Sequence, residues 1–91
     1  MDYTDLQFLE SFTSTTRVSD FAQLYFANYS RPETATKMFR KRIRESKSLY
    51  EKLIAADYNE KDRYLNSIHI RIIVSAWGAP QAYKRKHDIL N

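Results

Sequence analysis

Residues 31–47 read RPETATKMFRKRIRESK, and the reading of this segment organises the rest of the chain. It holds seven of the fifteen Lys and Arg residues (Arg31, Lys37, Arg40, Lys41, Arg42, Arg44 and Lys47) against two acids, Glu33 and Glu45. Positions three and four apart share one face of a helix. On that period Ala35, Met38, Phe39 and Ile43 fall on one arc, and Lys37, Arg40, Lys41, Arg44 and Lys47 on the opposite one. Arg42 projects onto the apolar side, where its stem can follow the edge of a core while the guanidinium reaches water. The segment therefore predicts a helix that buries one side and offers five cations on the other, a surface suited to a polyanion.

Upstream, Pro32 fixes its own φ and pushes Arg31 out of helical geometry. This starts the basic helix at Pro32, with Arg31 or Ser30 at its cap and Glu33 in its first turn. Asn28-Tyr29-Ser30 before it reads as a turn. Ser19 is the expected N-cap of an earlier helix, with Asp20 in its first turn, Phe21, Ala22, Leu24 and Tyr25 on its buried side, and an end near Asn28. Thr4 and Gln7 have capping-box spacing and open a first helix whose stripe is Leu6, Phe8, Leu9 and Phe12. It ends near Ser11–Thr13, where the hydroxyl run Thr13-Ser14-Thr15-Thr16 begins, because these side chains compete for backbone hydrogen bonds.

Downstream, Leu49, Leu53 and Ala56, flanked by Tyr50 and Ile54, keep a helical period, and a break near Ser46 separates them from the basic helix. Asn59 is expected to cap the next helix from Glu60, with Asp62 in its first turn. Leu65, Ile68, Ile72 and Ala76 follow one face of it, widened by Ile73 and Trp77. Ile68-His69-Ile70-Arg71-Ile72 also alternates as a strand does, but helix fits the longer window. Gly78 ends that helix and Pro80 starts a final one through Leu90. The expectation is an all-α fold, a compact bundle of five to six short helices in a single domain over residues 1–91.

Composition narrows the function classes. A chain of 91 residues buries roughly 60–65% of its unfolded surface, so its core must be efficient or shared with a partner. Seven Tyr, five Phe and one Trp supply large buried areas, and 43% hydrophobic content with a single Gly fits a folded helical domain. The absence of Cys excludes disulfides and thiolate chemistry. His69 and His87 have no ligand spacing, so no metal or cofactor is expected. Nor is an enzyme: there is no Gly-rich phosphate loop, nucleophile motif or paired-acid cleft, and Glu51, Glu60 and Asp62 read as helix-end or salt-bridging acids. No apolar run spans a bilayer and the N-terminus MDYTDLQ is acidic, so a cytoplasmic protein without a membrane partner is expected. The net charge of +4 is polarised: residues 1–30 carry Asp2, Asp5, Glu10 and Asp20 against Arg17 alone, while the cations concentrate in 31–47. Such polarity points to a binding face.

Residues 19–44, SDFAQLYFANYSRPETATKMFRKRIR, resemble a helix-turn-helix unit: a short helix containing the small Ala22, a turn, then Ser-Arg-Pro and a basic amphipathic helix. The resemblance implies that the second helix enters the DNA major groove with its N-terminal residues against base edges. Arg31, Thr34, Thr36 and Lys37 would then lie nearest the bases, and Arg40, Lys41 and Arg44 would reach phosphates; Lys47, on the same cationic arc, completes the expected DNA-binding set. Double-stranded DNA is the expected partner, bound by a small regulator of bacterial, phage or plasmid type working as a homodimer. The alternative is a non-enzymatic interaction module, a phage or host adaptor or inhibitor that docks the basic face on an acidic protein; RNA is a third target. Residues 72–86, turning at Gly78, offer a looser second helix-turn-helix spacing. Lys84-Arg85-Lys86 reads first as a cationic helix end and second as a phosphate contact. Tyr29, Tyr50, Tyr58, Tyr64 and Tyr83 suit a core edge or a protein interface.

Overall fold

The computed structural model describes residues 2–12, 15–81 and 83–84. Among these the order is α1 (Tyr3–Glu10), β1 (Thr16–Arg17), α2 (Val18–Tyr25), α3 (Pro32–Glu45), α4 (Lys47–Ala55), β2 (Tyr64–Leu65) and α5 (Ser67–Trp77). The architecture is mostly helical, with five helices among the described residues and a small antiparallel pairing that the all-α expectation did not contain. Thr16 pairs with Leu65 and Arg17 with Tyr64, and Val18 N donates to Arg63 O at 2.8 Å. The hydroxyl run read as the close of the first helix thus contributes Thr16 to a strand; Thr13 and Ser14 lie outside the described residues. Most of the expected last helix does too, although Lys84 N donates to Pro80 O at 3.1 Å, one helical turn.

The basic segment forms its helix where Pro32 places it. Arg31 takes the N-cap position, and Ser46 ends α3 in an extended conformation before α4 begins at Lys47. Ala35, Phe39 and Ile43 are buried, and Met38 is half-buried. Arg42 is exposed with its guanidinium 5.6 Å from the Trp77 ring centroid, as its projection onto the apolar side implies. Beneath α3 the core is a chain of edge-on rings: Phe39 meets Phe21 at 5.9 Å and Trp77 at 5.6 Å, and Phe21 meets Phe12 at 5.4 Å. Burying each of the fully enclosed side chains Phe21, Phe39, Ile43 and Leu53 contributes roughly 1.5–3 kcal/mol.

Several boundaries depart from the expectation, each for a local reason. Asp2, not Thr4, caps α1, its carboxylate accepting from Asp5 N at 2.9 Å. The pairing of β1 carries the chain directly into α2, which starts at Val18 with no side-chain cap, so Ser19 is already helical. That helix ends at Tyr25 rather than near Asn28, and Leu24 is exposed. Asn59 makes a turn instead of a cap: its side-chain oxygen accepts from Lys61 N at 2.9 Å. The helix expected from Glu60 starts at Ser67. Asn66 and His69 form the reciprocal box that opens it, each side chain accepting from the other's backbone N–H. This later start turns the helix: His69, Ile70, Ile73 and Val74 are buried, whereas Ile68 is 59% exposed. Residues 67–74 are helix, not strand.

No helix of the described residues is long and apolar enough to cross a membrane.

Candidate nucleic-acid interface

The cationic side of α3 forms one wall of a groove of about 800 Å³. Thr36, Lys37, Arg40 and Arg44, four of the residues singled out from the sequence, line it. Their spacing by one and four residues puts them on a single strip of the helix. The opposite wall comes from elsewhere: Arg17 from β1, Ser19, Asp20 and Gln23 from α2, and Glu60 and Lys61 from the turn before β2. Arg31, Thr34, Lys41 and Lys47 do not line the groove. Arg31, Lys41 and Lys47 are exposed, and Thr34 is half-buried. The structure therefore divides the predicted contacts into a groove set and a set outside the groove, on α3, at its N-cap and at the start of α4.

Arg17 and Lys61 are the cations that sequence reading missed. Each is isolated among residues of other character, and only the β1–β2 pairing brings them opposite α3. The pairing also draws in Arg63, which lines a smaller cavity of about 260 Å³ with Arg17, Ser19, Thr36, Arg40 and Tyr64.

The central cations are held by the protein itself. Arg40 is half-buried and donates from Nη2 to the Asp62 carbonyl at 3.3 Å, while its buried Nε has no hydrogen-bond partner. Arg44 faces Glu60 at 3.6 Å and remains about half exposed (54%). Glu60 in turn accepts from the Tyr50 hydroxyl at 3.0 Å, which with burial and the Glu60 charge raises the Tyr50 pKa above its ordinary value. Tyr58, beneath this group, is raised by burial against an opposing effect of the Arg40 charge. An exposed pair such as Arg44–Glu60 contributes little to stability, and a phosphate can compete for the guanidinium. Thr36 donates to the Pro32 carbonyl at 2.8 Å, so its hydroxyl proton is engaged within the helix. Five cations line the larger groove against three carboxylates, Asp20, Glu33 and Glu60, so its excess of positive charge is moderate.

The histidines do other work or lie elsewhere. His69 Nε2 meets the Ala56 carbonyl at 2.8 Å while Nδ1 accepts from Asn66 N, which locks the ring between α4 and α5. His87, Arg85 and Lys86 fall outside the described residues.

A family model described as a domain of unknown function, DUF4248, matches residues 13–80. No curated protein and no solved structure matches the chain. The matched span includes α2, α3, α4, α5 and both strands, so every element that builds the groove belongs to the shared domain.

Proposed function

For this chain, which belongs to the DUF4248 family, we propose a non-enzymatic role as a small nucleic-acid-binding protein with duplex DNA as its ligand. The observation that carries the reading is convergence: cations distant in sequence, Arg17 and Lys61, stand across one groove from Lys37, Arg40 and Arg44. A like-charged cluster raises the local potential and favours a polyanion, whose counterions are released on contact. In the finer form of the proposal, α2 and α3 act as a helix-turn-helix unit with α3 in the major groove. Arg31, Thr34 and Lys37 then lie near base edges, and Lys41, Arg44 and Lys47 near phosphates. A homodimer supplies the affinity that one small module lacks, and a regulatory role in transcription follows from such a geometry.

The test is a fluorescence-anisotropy titration of duplex DNA with wild type and with the Lys37→Glu, Lys41→Glu double variant, both sites being exposed and remote from the core. Binding should weaken by at least about tenfold at about 100 mM salt, the equivalent of 1.4 kcal/mol. Unchanged affinity removes α3 from the interface.

The three carboxylates within the groove favour a second reading, in which the basic face docks on an acidic protein whose own cations answer Asp20, Glu33 and Glu60. That reading predicts no duplex binding by the wild type at the same salt, and weaker partner binding when Glu60 is replaced by Gln.

A further inference from the structure

The smaller cavity differs in kind from the groove it adjoins. Three guanidinium groups line it, from Arg17, Arg40 and Arg63, with the hydroxyls of Ser19 and Thr36, and no carboxylate is among its lining residues. The aromatic side chain at its edge, Tyr64, is 50% exposed and is the direct cross-strand partner of Arg17. Directly opposed residues project on the same side of a two-stranded ribbon, so ring and guanidinium flank one opening. Arg40 is fixed in place by partial burial and by its bond to the Asp62 carbonyl, and the fold leaves its Nε without an acceptor.

We infer that this cavity seats a phosphate monoester of a nucleotide, with Arg17, Arg40 and Arg63 on the phosphate and Tyr64 stacked on the adjoining base. The inference rests on the nucleic-acid reading of the larger groove and specifies which phosphate that surface selects. A monoester carries a charge of about −1.5 to −2 at neutral pH, whereas an internal diester carries one negative charge. Three arginines in a cavity lined by no carboxylate match the higher charge, and the exposed Arg17 and Arg63 can each fork on two phosphate oxygens. A volume of about 260 Å³ admits a phosphate and part of its sugar but not a duplex, which directs the site to a strand terminus or a free nucleotide. An exposed ring beside the phosphate seat is the arrangement that holds an unpaired base, because every base offers a π face.

The experiment titrates the full chain with thymidine 5′-monophosphate, thymidine and inorganic phosphate by calorimetry. In parallel, anisotropy compares a duplex with a short 5′ overhang bearing either a 5′-phosphate or a 5′-hydroxyl. The 5′-phosphate should improve duplex affinity about tenfold, and the monophosphate should bind where thymidine does not. Arg63→Gln, at an exposed position that lines the smaller cavity but not the larger groove, should abolish these preferences while leaving binding of a blunt 5′-hydroxyl duplex largely in place. Tyr64→Ala should weaken the nucleotide but not inorganic phosphate. Stronger binding of the phosphorylated strand than of the mononucleotide assigns the site to strand ends, and equal binding assigns it to free nucleotides. Indifference to the 5′-phosphate together with no binding of the monophosphate overturns the inference. So does competition by a phosphoserine peptide without competition by the nucleotide. Loss of blunt-duplex binding alone counts against the larger groove and leaves the monophosphate titration to decide this site.

Discussion

At the residue scale, the end of α5 shows how few positions tie α1 and α2 to the turn that follows α5. Gly78 has φ 73° and ψ −179°, a region that residues with a Cβ rarely enter. Its carbonyl accepts from the Tyr25 hydroxyl at 2.7 Å, and the next amide, Ala79 N, donates to the buried Asp5 carboxylate at 2.7 Å. A Cβ at Gly78 would lie 3.4 Å from both Asp5 Oδ1 and Lys84 Nζ. Gly78→Ala should therefore cost about 1–3 kcal/mol in urea unfolding, mainly through backbone strain. A loss under about 0.5 kcal/mol would show that the turn relaxes freely. Burial, reinforced by the Asp5 charge, pushes the Tyr25 hydroxyl well above its ordinary pKa of 10.0. A raised tyrosine favours the neutral form in the folded state. Its contribution to stability is complete below the unfolded value near 10 and declines as pH climbs toward the folded one. Unfolding midpoints should accordingly fall above about pH 10, and Tyr25→Phe should flatten that fall while costing about 0.5–1.5 kcal/mol at neutral pH.

At the scale of elements, α3 was legible because three signals agree along it: a proline start, an apolar stripe and a cationic arc. The start of α5 was not. Asn59 and Asn66 are both plausible caps, and the residue that decides between them is His69, which occupies the place usually taken by Glu or Gln. The two strands were hidden for another reason. At two residues each they carry no period, and their pairing joins positions far apart in sequence, Thr16 with Leu65 and Arg17 with Tyr64. The α3 half of the groove could thus be read from local pattern; its Arg17 and Lys61 half, and Arg63 of the smaller cavity, could not. His69 also joins α5 to the end of α4 through the Ala56 carbonyl, with Tyr58 edge-on at 5.7 Å. His69→Ala removes the cap partner and leaves that carbonyl unanswered, so a loss of about 2 kcal/mol or more is expected by thermal or urea unfolding. His69→Gln, which can restore the cap, should recover part of it.

At the scale of the whole molecule, the longest dimension is 38 Å, close to one turn of duplex DNA at about 34–36 Å. In the proposed DNA-binding role one copy would engage little more than a single groove segment, and affinity would depend on how many phosphates its cationic face neutralises. Five cations line the groove, and one of them, Arg44, already faces Glu60. The number of phosphates neutralised per protomer should then be about three to five. The most direct measurement is the dissociation constant for a random-sequence duplex across several salt concentrations, with the protein's mass in solution recorded alongside. A plot of log K against log salt should have a slope of about −2.7 to −4.5 per bound protomer, made shallower by about one unit when Lys37 or Lys61 is replaced by Gln. A slope near zero, or a slope that neither substitution changes, would contradict the proposed DNA-binding role.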